Sequence, residues 1–262
     1  MKIDHKESFE DFGKQFVKDK KIDGYFGSIE LLKDIVSPFN LDEIKNKKIM
    51  EIGVGSGRIL KNLLKYSPNI VFGIEPSQAI EVAKLNTKSD KVNFLNIRGE
   101  DLNFENEFDY VFSLGVIHHI PNYEIVLKNI YKSLKPGGKF ILWVYGKEGN
   151  GLYLFIFNNL RRLTIYLPDF ILKLLSWFLN LLTYIYGFLC KFFELPLKKY
   201  FINFFNKCSF EKRRYIIFDQ LNPSYAKYFK ESELKEILKK TNFEIIHIKN
   251  RHNYSYTAVC KK

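Results

Sequence analysis

The chain predicts an α/β fold, a mostly parallel sheet with helices on both faces, and three observations carry that expectation. Short apolar runs recur between residues 47 and 145, and stretches of about a dozen residues with helical spacing separate them. The first run, Ile49-Met50-Glu51-Ile52, passes directly into Gly53-Val54-Gly55-Ser56-Gly57, with glycine at every second position ahead of a helix start. The 262 residues are 46% hydrophobic, ample to bury one large core, and no internal repeat or low-complexity linker divides them.

The glycine run is the first chemical signal. Glycine has no Cβ and tolerates positive φ, so such a loop lets a bulky group approach the main chain, and the free N–H groups of the next helical turn bind its polar end. Spacing narrows the ligand. A dinucleotide fingerprint needs a third glycine at position 58, where Arg58 stands, and the Lys-Ser/Thr of a P-loop is missing. The pattern present is acid-x-Gly-x-Gly-x-Gly, with Glu51 as the acid. Ile59, Leu60, Leu63 and Leu64 keep helical spacing until Pro68-Asn69, and a second strand, Ile70-Val71-Phe72-Gly73-Ile74, ends in Glu75. An acid about 20 residues past a glycine loop sits where ribose-binding carboxylates lie in nucleotide-binding sheets, and one carboxylate accepts from both ribose hydroxyls. The alternative is a solvated Glu ahead of a helix capped by Ser77; beside the glycine loop, the ribose role is preferred.

A third strand, Val92-Asn93-Phe94-Leu95-Asn96-Ile97, leads to the turn Arg98-Gly99-Glu100. A fourth, Phe108-Asp109-Tyr110-Val111-Phe112-Ser113, leads to Leu114-Gly115-Val116-Ile117-His118-His119. Asn122 then reads as the cap of a helix with Tyr123, Val126, Leu127, Ile130, Tyr131 and Leu134 on its apolar face. Pro136-Gly137-Gly138 reverses the chain into a fifth strand, Lys139 to Tyr145. Over residues 47–145, and again over 230–262, this succession resembles the class I S-adenosylmethionine (SAM) dependent methyltransferases, in their small-molecule, type 11/12-like branch. The resemblance implies a Rossmann-like seven-stranded sheet with the last strand inserted antiparallel, SAM as cofactor, and methyl transfer as the activity. It implies cofactor contacts at Glu51, Gly53, Gly55, Gly57, Glu75, Gly99, Glu100 and Leu114. Arg98 departs from the family, which usually has an acid there, so the adenine contact is expected from Glu100 and the Gly99 backbone.

A hydroxyl acceptor needs a base near neutral pKa, and histidine is the natural residue. His119, then His118, are the candidates, because they fall at the C-terminal edge of the sheet, where ligands bind. Their alternative duty is to support the backbone or stack on adenine.

Four segments follow. Residues 1–46 look helical and carry Phe9, Phe12, Phe16, Tyr25 and Phe26; packing against the sheet and a lid over the cofactor both fit, with the lid preferred. Residues 47–145 form the SAM-binding core. Residues 146–229 are an apolar helical insertion after strand five, and 230–262 return to the core. In that last segment Ser232 is the expected N-cap of a helix with Leu234, Ile237 and Leu238. Asn242 is suited to a left-handed turn, and the runs from Phe243 to Ile248 and Tyr254 to Cys260 form an antiparallel pair.

Within the insertion, Lys173 and Lys191 bracket seventeen uncharged residues, at the lower edge of membrane-spanning length. Asp169, Lys173, Ser176, Asn180, Thr183, Gly187 and Lys191 nevertheless recur every three or four residues, a narrow polar stripe. Pro168 suits the first turn and Pro196 ends the pattern. Three readings follow, in order of preference: a cap with its apolar residues buried on the catalytic domain, peripheral membrane contact through residues 152–205 aided by Arg161, Arg162, Lys198 and Lys199, and a spanning helix. Asp219, Asn222, Tyr225 and His252 are further candidates for the substrate side.

The net charge of +12 is compatible with nucleic acid or anionic lipid, and equally with a Lys- and Asn-rich composition. Ser113-Leu114-Gly115-Val116 lacks the Asp/Asn-Pro-Pro-aromatic of base-amino methylation, and no Pro-Cys nucleophile is present for cytosine C5 chemistry. Three scattered cysteines, Cys190, Cys208 and Cys260, suggest neither a disulfide framework nor a metal site, and the charged N-terminus is no signal peptide, so a cytoplasmic location, or the inner face of a membrane, is expected. The expected substrate is a small molecule, a glycan precursor or a lipid-linked acceptor, methylated on a hydroxyl. RNA, chiefly tRNA, is the runner-up. A catalytically inactive binding protein is the alternative from another class.

Overall fold

A computed structural model of the chain describes residues 8–18, 22, 24–164, 167–221 and 225–262. Among these residues the strands are β1 (Lys48–Ile52), β2 (Ile70–Ile74), β3 (Val92–Leu95), β4 (Phe108–Leu114), β5 (Leu134–Tyr145), β6 (Glu244–Arg251) and β7 (Ser255–Lys261). The α-helices are α1 (Ser8–Lys18), α2 (Ile29–Val36), α3 (Arg58–Leu63), α4 (Ala79–Thr87), α5 (Tyr123–Ser133), α6 (Gly151–Thr164), α7 (Asp169–Leu189), α8 (Lys198–Asn203), α9 (Phe210–Leu221) and α10 (Glu231–Lys240). The strands form one sheet in the order β3-β2-β1-β4-β5-β7-β6. Its first five members are parallel, and β7 enters antiparallel between β5 and β6. This is the Rossmann-like seven-stranded arrangement expected from the sequence.

Alternation along the central strands explains why both faces are covered. Met50 and Ile52 of β1, with Val111 of β4 and Phe140 and Leu142 of β5, are buried with Val126, Leu127 and Ile130 of α5 and Leu234 and Leu238 of α10. Ile49, Phe112 and Ile141 point the other way, onto Leu31, Leu32 and Ile35 of α2 and Leu60 and Leu63 of α3. Side chains two apart share a face, so strands apolar at every position bury on both sides. Chain order reverses between β1 and β4, and the crevice outside their C-terminal ends is where such sheets bind ligands. The insertion has a small core of its own, formed by Leu172, Cys190, Phe201, Phe205, Ile217 and Leu221.

Several local expectations need correction. Asn122 occupies the N-cap position of α5, but its side chain makes no cap hydrogen bond. Helix α10 starts at Glu231 with Lys230 at the N-cap, so Ser232 lies inside its first turn. Pairing of β4 with β5 already begins at Phe108 and Leu134, which brings the Pro136-Gly137-Gly138 turn inside β5 as an irregularity. Ser77 precedes α4 by two residues yet still accepts from the Ala79 N–H at 3.2 Å. Asn242 adopts φ 66°, the left-handed turn its side chain tolerates.

The largest correction concerns α7. The middle of its polar stripe faces inward, with Ser176 and Asn180 1% and 0% exposed, whereas Lys173 and Lys191 near its ends are exposed. The Asn180 amide donates to the Phe210 carbonyl of α9 at 3.0 Å, and the Gly187 carbonyl accepts from Asn206 at 3.2 Å. The apolar residues of α7 that the cap reading would bury on the catalytic domain instead lie largely on the outside.

Candidate functional site

The C-terminal ends of β1 to β5 open into one cavity of about 1410 Å³, lined by the glycine loop and by residues of the insertion. Small-molecule sites commonly measure roughly 300–1,000 Å³, so this one has room for a nucleoside-sized donor and a second molecule of substantial size.

The glycine loop forms the cavity's tightest turn. Gly53, Gly55 and Gly57 take φ of 75°, 52° and 81°. A Cβ on Gly53 would stand 2.4 Å from Val116 Cγ2, and one on Gly57 would stand 3.0 Å from the Ala83 main chain. These two glycines therefore seat the turn against the protein's own atoms, whereas Gly55 faces Phe16 of α1. The N–H groups of Gly53 and Val54 donate to the Ile74 carbonyl at 2.8 and 3.1 Å, which ties the loop to the end of β2. Glu75 completes the tie: Oε2 accepts from the Gly55 N–H at 2.9 Å, and Oε1 accepts from the Ser77 N–H at 3.1 Å and hydroxyl at 2.6 Å. A carboxylate offers about four acceptor positions, so buried Glu75 keeps capacity toward the cavity it lines.

Glu51 lies at the loop's base, 2% exposed, and its Oε2 has no hydrogen-bond partner. Burial pushes its carboxyl up to about 8, against the pull of the Arg58 guanidinium. Arg58, brought to about 10 by burial, donates to the Phe26 carbonyl at 3.0 Å and lies over the Phe26 ring. A buried carboxyl short of a partner, on the wall of a cavity beside the glycine turn, suits the cationic methionine end of SAM. A carboxyl near 8 is mostly protonated at pH 7, and a bound cation favours its ionised form. SAM binding at pH 7 is therefore expected to release about one proton from Glu51. Calorimetry in buffers of different ionisation enthalpy reads this directly, and Glu51→Gln should abolish the buffer dependence.

At the end of β3, Gly99 is buried beneath Val126, and the carbonyls of Gly99 and Glu100 accept from the Asn129 amide at 3.3 and 2.7 Å. Arg98, in place of the family's acid, lies 5.1 Å from the ring centroid of Phe9 in α1. Arg98, Gly99, Glu100, Phe9, Phe16 and Phe26 all line the cavity, so α1 stands over the glycine loop; Phe12 is not among the described side chains.

At the end of β4, Leu114 lines the cavity and a 3-10 turn, Ile117–His119, separates the two histidines. His119 is half-buried on the cavity wall, with Nδ1 2.8 Å from the Tyr225 carbonyl. A carbonyl only accepts, so Nδ1 carries the proton in the neutral ring and Nε2 the lone pair. His118 differs. It is 0% exposed, outside the cavity wall, and its ring nitrogens have no partner. Its ring packs 4.0 Å from that of Tyr145, and burial pulls its pKa well below the ordinary value. His118 is a neutral packing residue behind the site, because the turn after β4 sends it inward and only His119 toward the opening.

Sequence reasoning missed the far wall. Phe157, Leu179, Thr183, Tyr186, Phe201 and Phe205 of the insertion line the cavity, which makes the insertion its roof. The spacing of Leu179, Thr183 and Tyr186 along one face of α7 was the available signal. Trp143, whose indole N–H has no partner, was also missed. Of the four further candidates, Asp219 lines the cavity with its carboxyl pushed up to about 7 by burial, opposed by a hydrogen bond from Gln15. Tyr225 contributes its carbonyl to His119, and His252 binds Asp34 at 3.2 Å away from the cavity. Asn222 lies outside the described residues.

Strand order, glycine turn and acid-capped β2 together are the arrangement of the class I SAM-dependent methyltransferase fold. Residues 50–142 match the family model described as a methyltransferase domain. The chain is 38% identical over 104 residues to phosphoethanolamine N-methyltransferase 2 of Caenorhabditis elegans, covering 38% of this chain and 24% of that protein. It is 30% identical over 110 residues to a tRNA U34 carboxymethyltransferase of Helicobacter acinonychis, covering 39% and 42%. It is 29% identical over 137 residues to a ubiquinone biosynthesis O-methyltransferase of Hydrogenovibrio crunogenus, covering 50% and 55%. The chain thus spans from a quarter to about half of these relatives' lengths. A chain from the Haloferax volcanii complex of the Trm112 methyltransferase activator shares the fold, with a TM-score of 0.62, 14% identity and 97% of both chains covered.

Proposed function

We propose that the protein is a SAM-dependent methyltransferase that O-methylates an amphiphilic acceptor, a small molecule or lipid-linked intermediate whose apolar part lies beneath the insertion. The observation that carries this reading is that Glu51, Glu75 and the glycine loop share one cavity with Phe157, Leu179, Phe201 and Phe205 of the insertion. An RNA acceptor would put one flipped base in the cavity and its backbone on a basic surface outside, whereas the long apolar wall here suits an amphiphile.

Bound SAM supplies an electrophilic methyl group on a positively charged sulfur. The residues of this chain do the rest. Glu51 would pair with the amino end and Glu75, through its remaining acceptor position, with a ribose hydroxyl, while Gly99, Glu100 and Leu114 would border the adenine side. Gly53, Gly55 and Gly57 hold the tight turn that brings the main chain up to the cofactor. The apolar walls exclude water, which favours a transfer in which positive charge fades. His119 takes the acceptor's hydroxyl proton at Nε2 as the oxygen attacks, while the Tyr225 carbonyl holds Nδ1–H and so fixes the ring.

One experiment tests both substrate class and base. Labelled SAM is incubated with cell extract and the protein, and the products are divided into organic-soluble, glycan, water-soluble small-molecule and RNA fractions. Label is expected in the organic-soluble fraction, falling at least tenfold with His119→Asn while SAM affinity is kept. Label confined to RNA would overturn the acceptor and favour the tRNA reading that one relative's name suggests. Transfer untouched by His119→Asn would remove the base.

A further inference from the structure

The outer face of the insertion is built the wrong way round for a helix meeting water. Helix α7 turns Ser176 and Asn180 inward and many of its apolar residues out: Phe170 is 69% exposed, Leu174 67%, Ile185 61% and Phe188 58%. Trp177, Phe178 and Leu181 share this exposure, and Phe192 and Phe193 continue it past the helix end. Apolar side chains outnumber polar ones on nearly every surface helix's inner face, and a run of this size on the outer face marks a surface that is covered in use.

We infer that this face docks on an anionic lipid bilayer, with α7 lying in the interface plane. Three observations select lipid over a protein partner. First, residues 151–202 carry six basic and two acidic side chains, and no acid stands between Phe170 and Phe193, so cations flank an apolar band that no anion interrupts. Lys173 and Lys191 are exposed near its two ends, as in helices that rest on headgroups. Second, the exposed Trp177 is of the residue type favoured at the membrane–water boundary. Third, α7 is the wall between surface and cavity: Leu179, Leu182, Thr183 and Tyr186 line the cavity, and Leu182 is also 45% exposed. A bilayer against this wall would place amphiphiles at the cavity's edge. That loading role rests on the acceptor proposed above, whereas the docking itself does not.

Length alone would let α7 span, since its 21 residues rise about 31 Å. Its inner face forbids it. Asn180 donates to Phe210, Thr183 to the Asn180 carbonyl, and the buried Arg213 guanidinium lies 4.1 Å from the Tyr184 ring centroid. A helix fastened along one side to charged α9 has only its other side to give to lipid.

The test uses the full chain with phosphatidylglycerol–phosphatidylcholine vesicles and with phosphatidylcholine vesicles alone. The protein is expected to sediment with the anionic vesicles and to be released by salt. Trp177 fluorescence should be quenched by brominated acyl chains, and Phe178→Glu with Phe188→Glu should lower the bound fraction about tenfold while SAM affinity stays unchanged. Wild-type protein left in the supernatant, absence of quenching, or a double variant that sediments like wild type would each overturn the inference. So would light scattering that finds a dimer which the double variant dissociates, since a second copy would then cover the face. Vesicle binding without SAM binding would leave the docking intact and sink the methyltransferase reading instead.

Discussion

Replacing Glu75 with alanine is expected to weaken SAM binding at least tenfold, about 1.4 kcal/mol or more. Two losses add. On the proposed role a ribose hydroxyl loses its carboxylate, and the glycine loop loses its anchor, because the Gly55 N–H donates to Glu75 Oε2 and the Ser77 N–H and hydroxyl to Oε1. A buried donor left without a partner costs about 1–3 kcal/mol, so the loop should relax as well as the contact vanish. Calorimetric titration reads the affinity, and a thermal melt of the variant separates ligand loss from unfolding. A folded Glu75→Ala protein with wild-type affinity would show that the ribose is held elsewhere.

The second large effect is on stability. Arg251, 2% exposed at the end of β6, is paired with Asp34 of α2, and His252 reaches the same carboxylate oxygen at 3.2 Å. Removing one partner of a buried pair strands the other charge, so Asp34→Ala is expected to lower the unfolding free energy by about 3 kcal/mol. The pH dependence has a definite sign. The Asp34 carboxyl is held down to about 2 although burial opposes this, because the His252 hydrogen bond and the Arg251 charge and hydrogen bond outweigh it. A depressed carboxyl stabilises the fold above its unfolded value and loses that contribution as pH falls toward the folded one. Between about pH 4 and pH 2 the wild type should therefore lose stability that Asp34→Ala never had. Denaturant titrations at several pH values measure the difference, and parallel curves for the two proteins would contradict it.

The parts of the site legible in the sequence were those set by local chemistry. The glycine spacing, the acid closing β2 and the histidine pair each report what a short strand and its following turn must do, and the fold places Gly53, Gly55, Glu75 and His119 around one opening. Less could be read where orientation depends on long-range packing. His118 and His119 are neighbours in sequence, and only the path of the 225–229 segment, with the Lys227 N–H on the His118 carbonyl, decides which ring faces ligand. The stripe on α7 was visible as a period, but a period does not say which side meets water. Asn180 and Ser176 turn inward because α9 offers Asn180 a carbonyl, a contact thirty residues away. The roof of the cavity was hidden for the same reason, since Phe201 and Phe205 join Leu172 and Ile217 only after the insertion folds.

The central claim is that the glycine turn, Glu51 and Glu75 together hold SAM. Titration of the folded full-length chain with SAM and with its demethylated product tests it most directly. Saturable heat at one site per chain, in the micromolar range, is the predicted result. No heat with either compound, while the melt still shows a cooperative fold, would contradict the assignment.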